Sequence, residues 1–386
     1  MLKKQLGLAP YQVLGGMHGL INMPEISLRD GNFARTKFVT LVDMVLALHK
    51  GTIEEFDISG NKNYHDEFGR WMIMLSRRSP KSVIIKLNSG LRYKIPSCLF
   101  SIDDLESLHL KNCIISLPRA FQGFKSLTDL SLNIFSSTDR DIQNLISFCP
   151  ILTNLSLTSF EGIHCLNIQS PKLKYLYIDG DFEDISLDAP NMEVTLLSLD
   201  PKAKSYQSVP VVHDKESYVK QSLGSLSEIK KLGIFGTFMK YLSKGCILTK
   251  LPAVFTRLED IYLTICFCDQ RQVFTTCSLL QNAPNLKKLH MWARMPPSGS
   301  SSTWDQDQAS IQELTLQMQM DHLIIASMKC FQGLDYEVNF VAKLLSCTPA
   351  LEEVKIEWMG EMDRSMVLTK LLALPRVSPR AKIIVT

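Results

Sequence analysis

The sequence predicts an α/β solenoid: stacked leucine-rich repeats, horseshoe-like, with a parallel sheet on the concave side and helices or irregular segments on the convex side. Two observations predict it. Leu105-x-x-Leu108-x-Leu110-x-x-Cys113 fits the template L-x-x-L-x-L-x-x-[NC] at every position, and Leu127, Leu152 and Leu173 open further copies. In addition, helical apolar spacing that stops at a proline recurs just before such hexads. A single hexad arises by chance in an apolar chain; about a dozen at quasi-regular intervals do not. Each unit is a short strand unable to bury its own leucines, so neighbours must stack into a continuous core.

The copies follow in chain order. Ile53-x-x-Phe56-x-Ile58 comes first and the copies opened by Leu105, Leu127, Leu152 and Leu173 come next. Ile163-x-x-Leu166-x-Ile168 and Phe182-x-x-Ile185-x-Leu187 interleave too closely to be full repeats, and are read as extra extended segments on the convex side. Later copies start at Ile229, Leu258, Leu286, Met320 (Met320-x-x-Leu323-x-Ile325) and Leu351. Helices are expected over 139–149, 271–282 and 335–347, each carrying apolar residues at helical spacing and each stopping at or before Cys149-Pro150, Ala283-Pro284 and Thr348-Pro349. Two polar stretches break the rhythm, at 200–224 and at 295–310. The domain reading is a degenerate segment over 1–35, the repeat domain over 36–294, a linker over 295–310, and a C-terminal module over 311–386 that continues the stack.

Composition narrows the function. The chain has 386 residues, 45% hydrophobic and 21% charged, enough for a sizeable core without disulfide or metal staples. Lys and Arg number 42 against 39 Asp and Glu, a net +3, too little for a general nucleic-acid or membrane field. The ten cysteines form no CxxC pair; Cys266-Phe267-Cys268 supplies two thiols where structural zinc needs four ligands. Reduced, mostly buried thiols suit an intracellular, cytoplasmic or nuclear location. No stretch approaches the ~18 uninterrupted apolar residues of a membrane span.

Chemistry is not signalled. The eight histidines show no H-x-x-x-H pairing, and there is no G-x-S-x-G elbow or phosphate-cradling glycine motif. Catalytic, cofactor-binding and metal-ligating residues are therefore expected to be none, and the protein non-catalytic. Ser76-Arg77-Arg78 reads as a solvated helix end, where cations complement the dipole.

What remains is surface. Residues between the inward leucines point to the concave face. In the early turns these are Ser107, His109 and Lys111, Asp129, Ser131 and Asn133, then Asn154, Ser156 and Thr158. The distal turns bring Tyr175, Tyr177 and Asp179, Asp260 and Tyr262, then Lys288, His290 and Trp292. Rigid rings beside charges suit a protein-binding patch, so these eight are the candidate partner-binding residues.

The sequence also resembles the plant F-box/FBD/leucine-rich-repeat proteins. The resemblance rests on Phe38 to Gly51, on Phe68-Gly69-Arg70-Trp71 with Ser76-Arg77-Arg78, and on Phe331-Gln332-Gly333 through Pro349-x-Leu351-Glu352 to Leu374-Pro375-Arg376. It implies that 311–386 is an FBD module and that the chain recognises protein substrates for an SCF-type (Skp–cullin–F-box) ubiquitin ligase, with ubiquitin transfer performed elsewhere. Members open with an F-box that docks a Skp adaptor. Here only Val13-Leu14 and Ile21-Asn22-Met23-Pro24 match its tail, and the paired arginine/tryptophan signature before that Pro is missing. A Skp adaptor and cullin are thus expected as partners only if an F-box lies upstream. The alternative is an F-box-less module that sequesters its partner without recruiting a ligase. No cofactor, nucleic-acid or membrane partner is expected.

Overall fold

The computed structural model describes residues 23–199, 223–224, 226–245, 254–295 and 319–386. The linker expected over 295–310, the polar stretch at 200–224 and the N-terminal F-box-like motifs lie wholly or mostly outside them. The chain folds as two compact units, one through Ile163 plus Gln169–Leu173, the other formed by His164–Ile168 and Lys174 onward.

The first unit alternates strands with short helices: β1 (Glu25–Arg29), α1 (Arg35–Leu48), β2 (Glu55–Gly60), α2 (His65–Ser76) and β3 (Ser82–Leu87). Then come β4 (Tyr93–Lys94), a 3₁₀ turn at Ser97–Ser101, β5 (Ser107–Ile114), β6 (Asp129–Ser136), α3 (Asp139–Ser147) and β7 (Asn154–Thr158). The sheet order is β1-β2-β3-β5-β6-β7, all parallel. Register puts Ile26, Phe56, Val83, Leu108, Leu130 and Leu155 in one buried row. Leu28, Ile58, Ile85, Leu110, Leu132 and Leu157 fill the next row. The core therefore lies on one face of the sheet, as alternation demands.

Successive repeats are locked by one recurring device. The carbonyl just before each strand accepts two consecutive N–H groups from the repeat that follows. Glu54 O takes Lys81 and Ser82, Lys81 O takes Glu106 and Ser107, and Glu106 O takes Thr128 and Asp129. This satisfies the turn backbone while holding neighbours in register. Phe121 and Phe124, in the helix-free segment between β5 and β6, pack ring on ring with Phe100 of the 3₁₀ turn, and Phe148, just after α3, packs against Phe121. Gly123 makes this possible: its φ is +91°, and a Cβ there would lie 1.9 Å from Phe148 O.

The second unit continues with β8 (Cys165–Gln169), β9 (Tyr175–Gly180), β10 (Asp184–Asp188), β11 (Val194–Leu199), β12 (Lys231–Gly236) and α4 (Phe238–Gly245). β13 (Asp260–Ile265), α5 (Gln270–Gln281), β14 (Lys288–Ala293) and β15 (Ile325–Phe331) come next. α6 (Asp335–Ser346), β16 (Glu353–Trp358), α7 (Arg364–Leu372) and β17 (Lys382–Val385) complete it. Its sheet runs β9-β11-β12-β13-β14-β15-β16-β17, again parallel. β8 and β10 pair separately, in line with the extra extended segments expected there. The C-terminal strands β15 to β17 extend the stack begun by β14.

One repeat has a different phase from the expected hexad. Leu289 and Met291 pair with Ala326 and Met328, so the repeat is Leu323-x-x-Ala326-x-Met328 and not the copy opened by Met320. Small Ala326 holds a leucine position, and the more leucine-like residues three positions earlier hid the true frame. Two further repeats escaped the template for similar reasons. Pro80-x-x-Val83-x-Ile85 begins with proline, and Met192-x-x-Thr195-x-Leu197 carries a fully buried threonine at the central position.

Candidate protein-recognition face

The eight expected residues all lie on strands of the second unit, and register decides which of them meet. Tyr177, Leu196, Gly233, Tyr262, His290 and Ser327 form one row across β9, β11, β12, β13, β14 and β15. One step toward the C-terminal ends of the strands, the next row holds Asp179, Ser198 and Phe235, then Thr264, Trp292 and Lys329. One step the other way lie Tyr175, Val194, Lys231, Asp260, Lys288 and Ile325.

The aromatic centre is on β13 and β14. Tyr262 stacks on His290 with centroids 4.6 Å apart and on Trp292 at 6.4 Å. Phe235 meets Trp292 edge-on at 5.8 Å, and Lys329 Nζ sits 5.7 Å from the Trp292 ring centre. These half-buried rings pack against one another. Gly233 links this centre to β11. A side chain at Gly233 would collide with Leu196 Cδ2 at 2.5 Å and with the Phe235 ring at 2.6 Å. Leu196 and Phe235 thus cover the glycine, carrying apolar surface toward Tyr177.

Polar groups frame the rings. His290 Nδ1 and Ser327 Oγ share a hydrogen bond of 2.8 Å, and burial lowers the imidazole pKa. Burial also raises the Tyr177 phenol, helped by Asp179. Asp260 differs from the exposed contact expected of it: only 7% exposed, it spends its carboxylate on Lys231 at 3.1 Å. Lys288 is exposed, and Tyr175, Tyr177 and Asp179 are half-buried. Two strands, β11 and β12, separate Tyr175 and Tyr177 from Tyr262, and the link runs through Val194, Leu196 and Gly233 rather than by direct ring contact.

Leu196, Phe235, Ser327 and Lys329 belong to this face and were not singled out from the sequence. Leu196 was hidden by Thr195 in its hexad and Ser327 by the misphased repeat. Phe235 directly follows the read hexad Ile229-x-x-Leu232-x-Ile234, and extending the outward alternation by one step finds it. The His290–Ser327 contact has the spacing of a nucleophile and base. No carboxylate is hydrogen-bonded to His290 among the described residues, and Ser327 is buried between strands, so the contact is read as a cross-strand pair. Among the described residues, no group of three or more His, Cys, Asp or Glu side chains is placed to hold a metal ion.

Parallel strands, one buried apolar row per register step and an outward face of rings and charges define a leucine-rich-repeat protein. Known proteins agree. The family described as "FBD-associated F-box protein At5g56370, LRR repeats" matches residues 69–291. F-box/FBD/LRR-repeat protein At1g13570 of Arabidopsis thaliana is 31% identical over 90% of this chain and 83% of its own length. Putative FBD-associated F-box protein At5g56560, of the same plant, is 22% identical over 94% of this chain and 89% of its own. F-box/FBD/LRR-repeat protein At5g56420 is 24% identical over 73% of this chain and 70% of its own. The chain belongs to the F-box/FBD/LRR-repeat family.

Proposed function

We propose that the protein is a non-catalytic recognition scaffold that selects protein substrates for an SCF-type ubiquitin ligase, acting inside the cell, in the cytoplasm or nucleus. The carrying observation is the outward face of the second unit, where Tyr262, His290, Trp292 and Phe235 form one ring cluster with Lys329 at its margin. Rings already stacked in the free protein lose little side-chain freedom on binding, and interface energy concentrates on such anchors. The names of the relatives, which carry F-box, FBD and LRR together, support the ligase context.

The test compares affinity purification from plant tissue of the wild type with that of a Tyr177→Ala/Tyr262→Ala variant shown to be folded. Proteins retained by the wild type and lost by the variant are then assayed for ubiquitination and for accumulation when the scaffold is depleted. Identical sets of retained proteins would remove this face as the site. Partners that bind but neither become ubiquitinated nor accumulate would favour the sequestering alternative.

A further inference from the structure

The outward face of the first unit carries an unused feature. Register places Arg29, Ser59, Lys86, Lys111, Asn133 and Thr158 in one row across β1, β2, β3, β5, β6 and β7. Lys86 and Lys111 are direct cross-strand neighbours, a like-charge arrangement that costs stability. Among the described residues, none of Arg29, Lys86 and Lys111 has a carboxylate within 4.0 Å. On the second unit's sheet Lys231, Lys329 and Lys355 each have one, on Asp260, Glu357 and Glu353, while Lys288, among the described residues, does not. An acidic residue opposite Lys86 or Lys111 would relieve the repulsion, yet Ser59 and Asn133 flank the pair.

We propose that this row is a second interaction surface, distinct from the aromatic face, and that it takes a carboxylate-rich segment of a protein partner. Adjacent strands lie ~4.8 Å apart, so Lys86 and Lys111 can share one carboxylate, and Arg29 reaches a second ~10 Å from Lys86. The hydroxyl of Ser59 and the half-buried amide of Asn133 continue the polar row on either side of the pair.

The rest of the face selects against a nucleic acid. At the opposite edge, Glu25 and Glu55 are direct neighbours in the row that ends in Asp129 and Asn154. Asp57, which accepts from Ser27 Oγ at 3.3 Å, stands in the row between, and His109 of that row engages the Asp129 carboxylate at 3.2 Å. A phosphodiester backbone laid across the sheet would meet these carboxylates. A short acidic segment following the cationic row would not.

The experiment measures binding of a short fluorescein-labelled poly-aspartate peptide to the full chain at low and near-physiological salt. The Lys86→Gln/Lys111→Gln variant should bind at least about fivefold more weakly, and the gap should narrow as salt rises. A Lys94→Gln/Lys125→Gln control, losing the same charge elsewhere on this unit, should change by less than about twofold. Lys86→Arg/Lys111→Arg should bind like the wild type, which separates charge from fold. Removing the lysine pair should leave the unfolding midpoint unchanged or higher. Equal weakening in the control, no weakening in the glutamine pair, or tighter binding of single-stranded RNA or a free polyphosphate than of poly-aspartate would overturn the proposal.

Discussion

The ring of Tyr262 lies 4.6 Å from that of His290, inclined by 16°, so two neighbouring strands present outward rings as one stacked surface. His290 is tied in turn to Ser327 on the next strand, and Trp292 to Phe235 on the other side. Four parallel strands thus hold one patch.

If that patch carries recognition, Tyr262→Ala and Tyr177→Ala should each weaken partner binding at least ~10-fold, equivalent to ~1.4 kcal/mol. Ser131→Ala and Ser156→Ala, on the first unit, should do little. Titration calorimetry with an identified partner distinguishes the two pairs, and the opposite ranking would move the site.

His290 makes the stability of this region sensitive to acid. Burial holds the folded imidazole below its usual value of about 6.5; Asp260 opposes this, while Lys288, Lys329 and Lys231 lower it further. Below that value the unfolded chain binds the extra proton first, so this stability is present above about pH 7 and falls as pH drops through the folded pKa. Denaturation midpoints at pH 7.5 and pH 5.5 should differ less for His290→Gln than for the wild type. An unchanged difference would assign the acid sensitivity elsewhere.

Ile134 occupies a left-handed backbone position, φ 51°, at the repeat site where Asn112, Ser159, Gly236 and Cys330 also have positive φ. A β-branched residue is the worst suited to it, and 36% of Ile134 is exposed, so little burial is lost by replacing it. Ile134→Asn should raise stability by about 1 kcal/mol in chemical denaturation. A loss of stability would mean that its packing outweighs the strain.

Thr195 is fully buried in β11 and its hydroxyl has no hydrogen-bond partner among the described residues. Thr195→Val keeps the shape and removes the unpaired oxygen, which should stabilise the fold by about 1 kcal/mol. A destabilised variant would show that the hydroxyl is satisfied in solution.

Much of this protein was determined by its sequence alone. Inward leucines at a fixed hexad, proline-stopped helices and the outward alternation were readable because each depends on neighbours a few residues apart. From those alone came the parallel stack, the burial of Leu108, Leu130 and Leu155, and Tyr262, His290 and Trp292 of the aromatic face. Repeats whose leucine position holds Pro80, Thr195 or Ala326 were not legible, because a stack accepts any side chain that fills the space between its neighbours. Only the tertiary structure decided which outward residues meet, since strand register joins residues dozens of positions apart. It paired Asp260 with Lys231 and buried it, set Leu196 and Phe235 over Gly233, and stacked Tyr262 on His290. By the same register it set Lys86 beside Lys111 without an acid between them, because cross-strand distance is fixed by backbone hydrogen bonds and not by the charges that the strands carry.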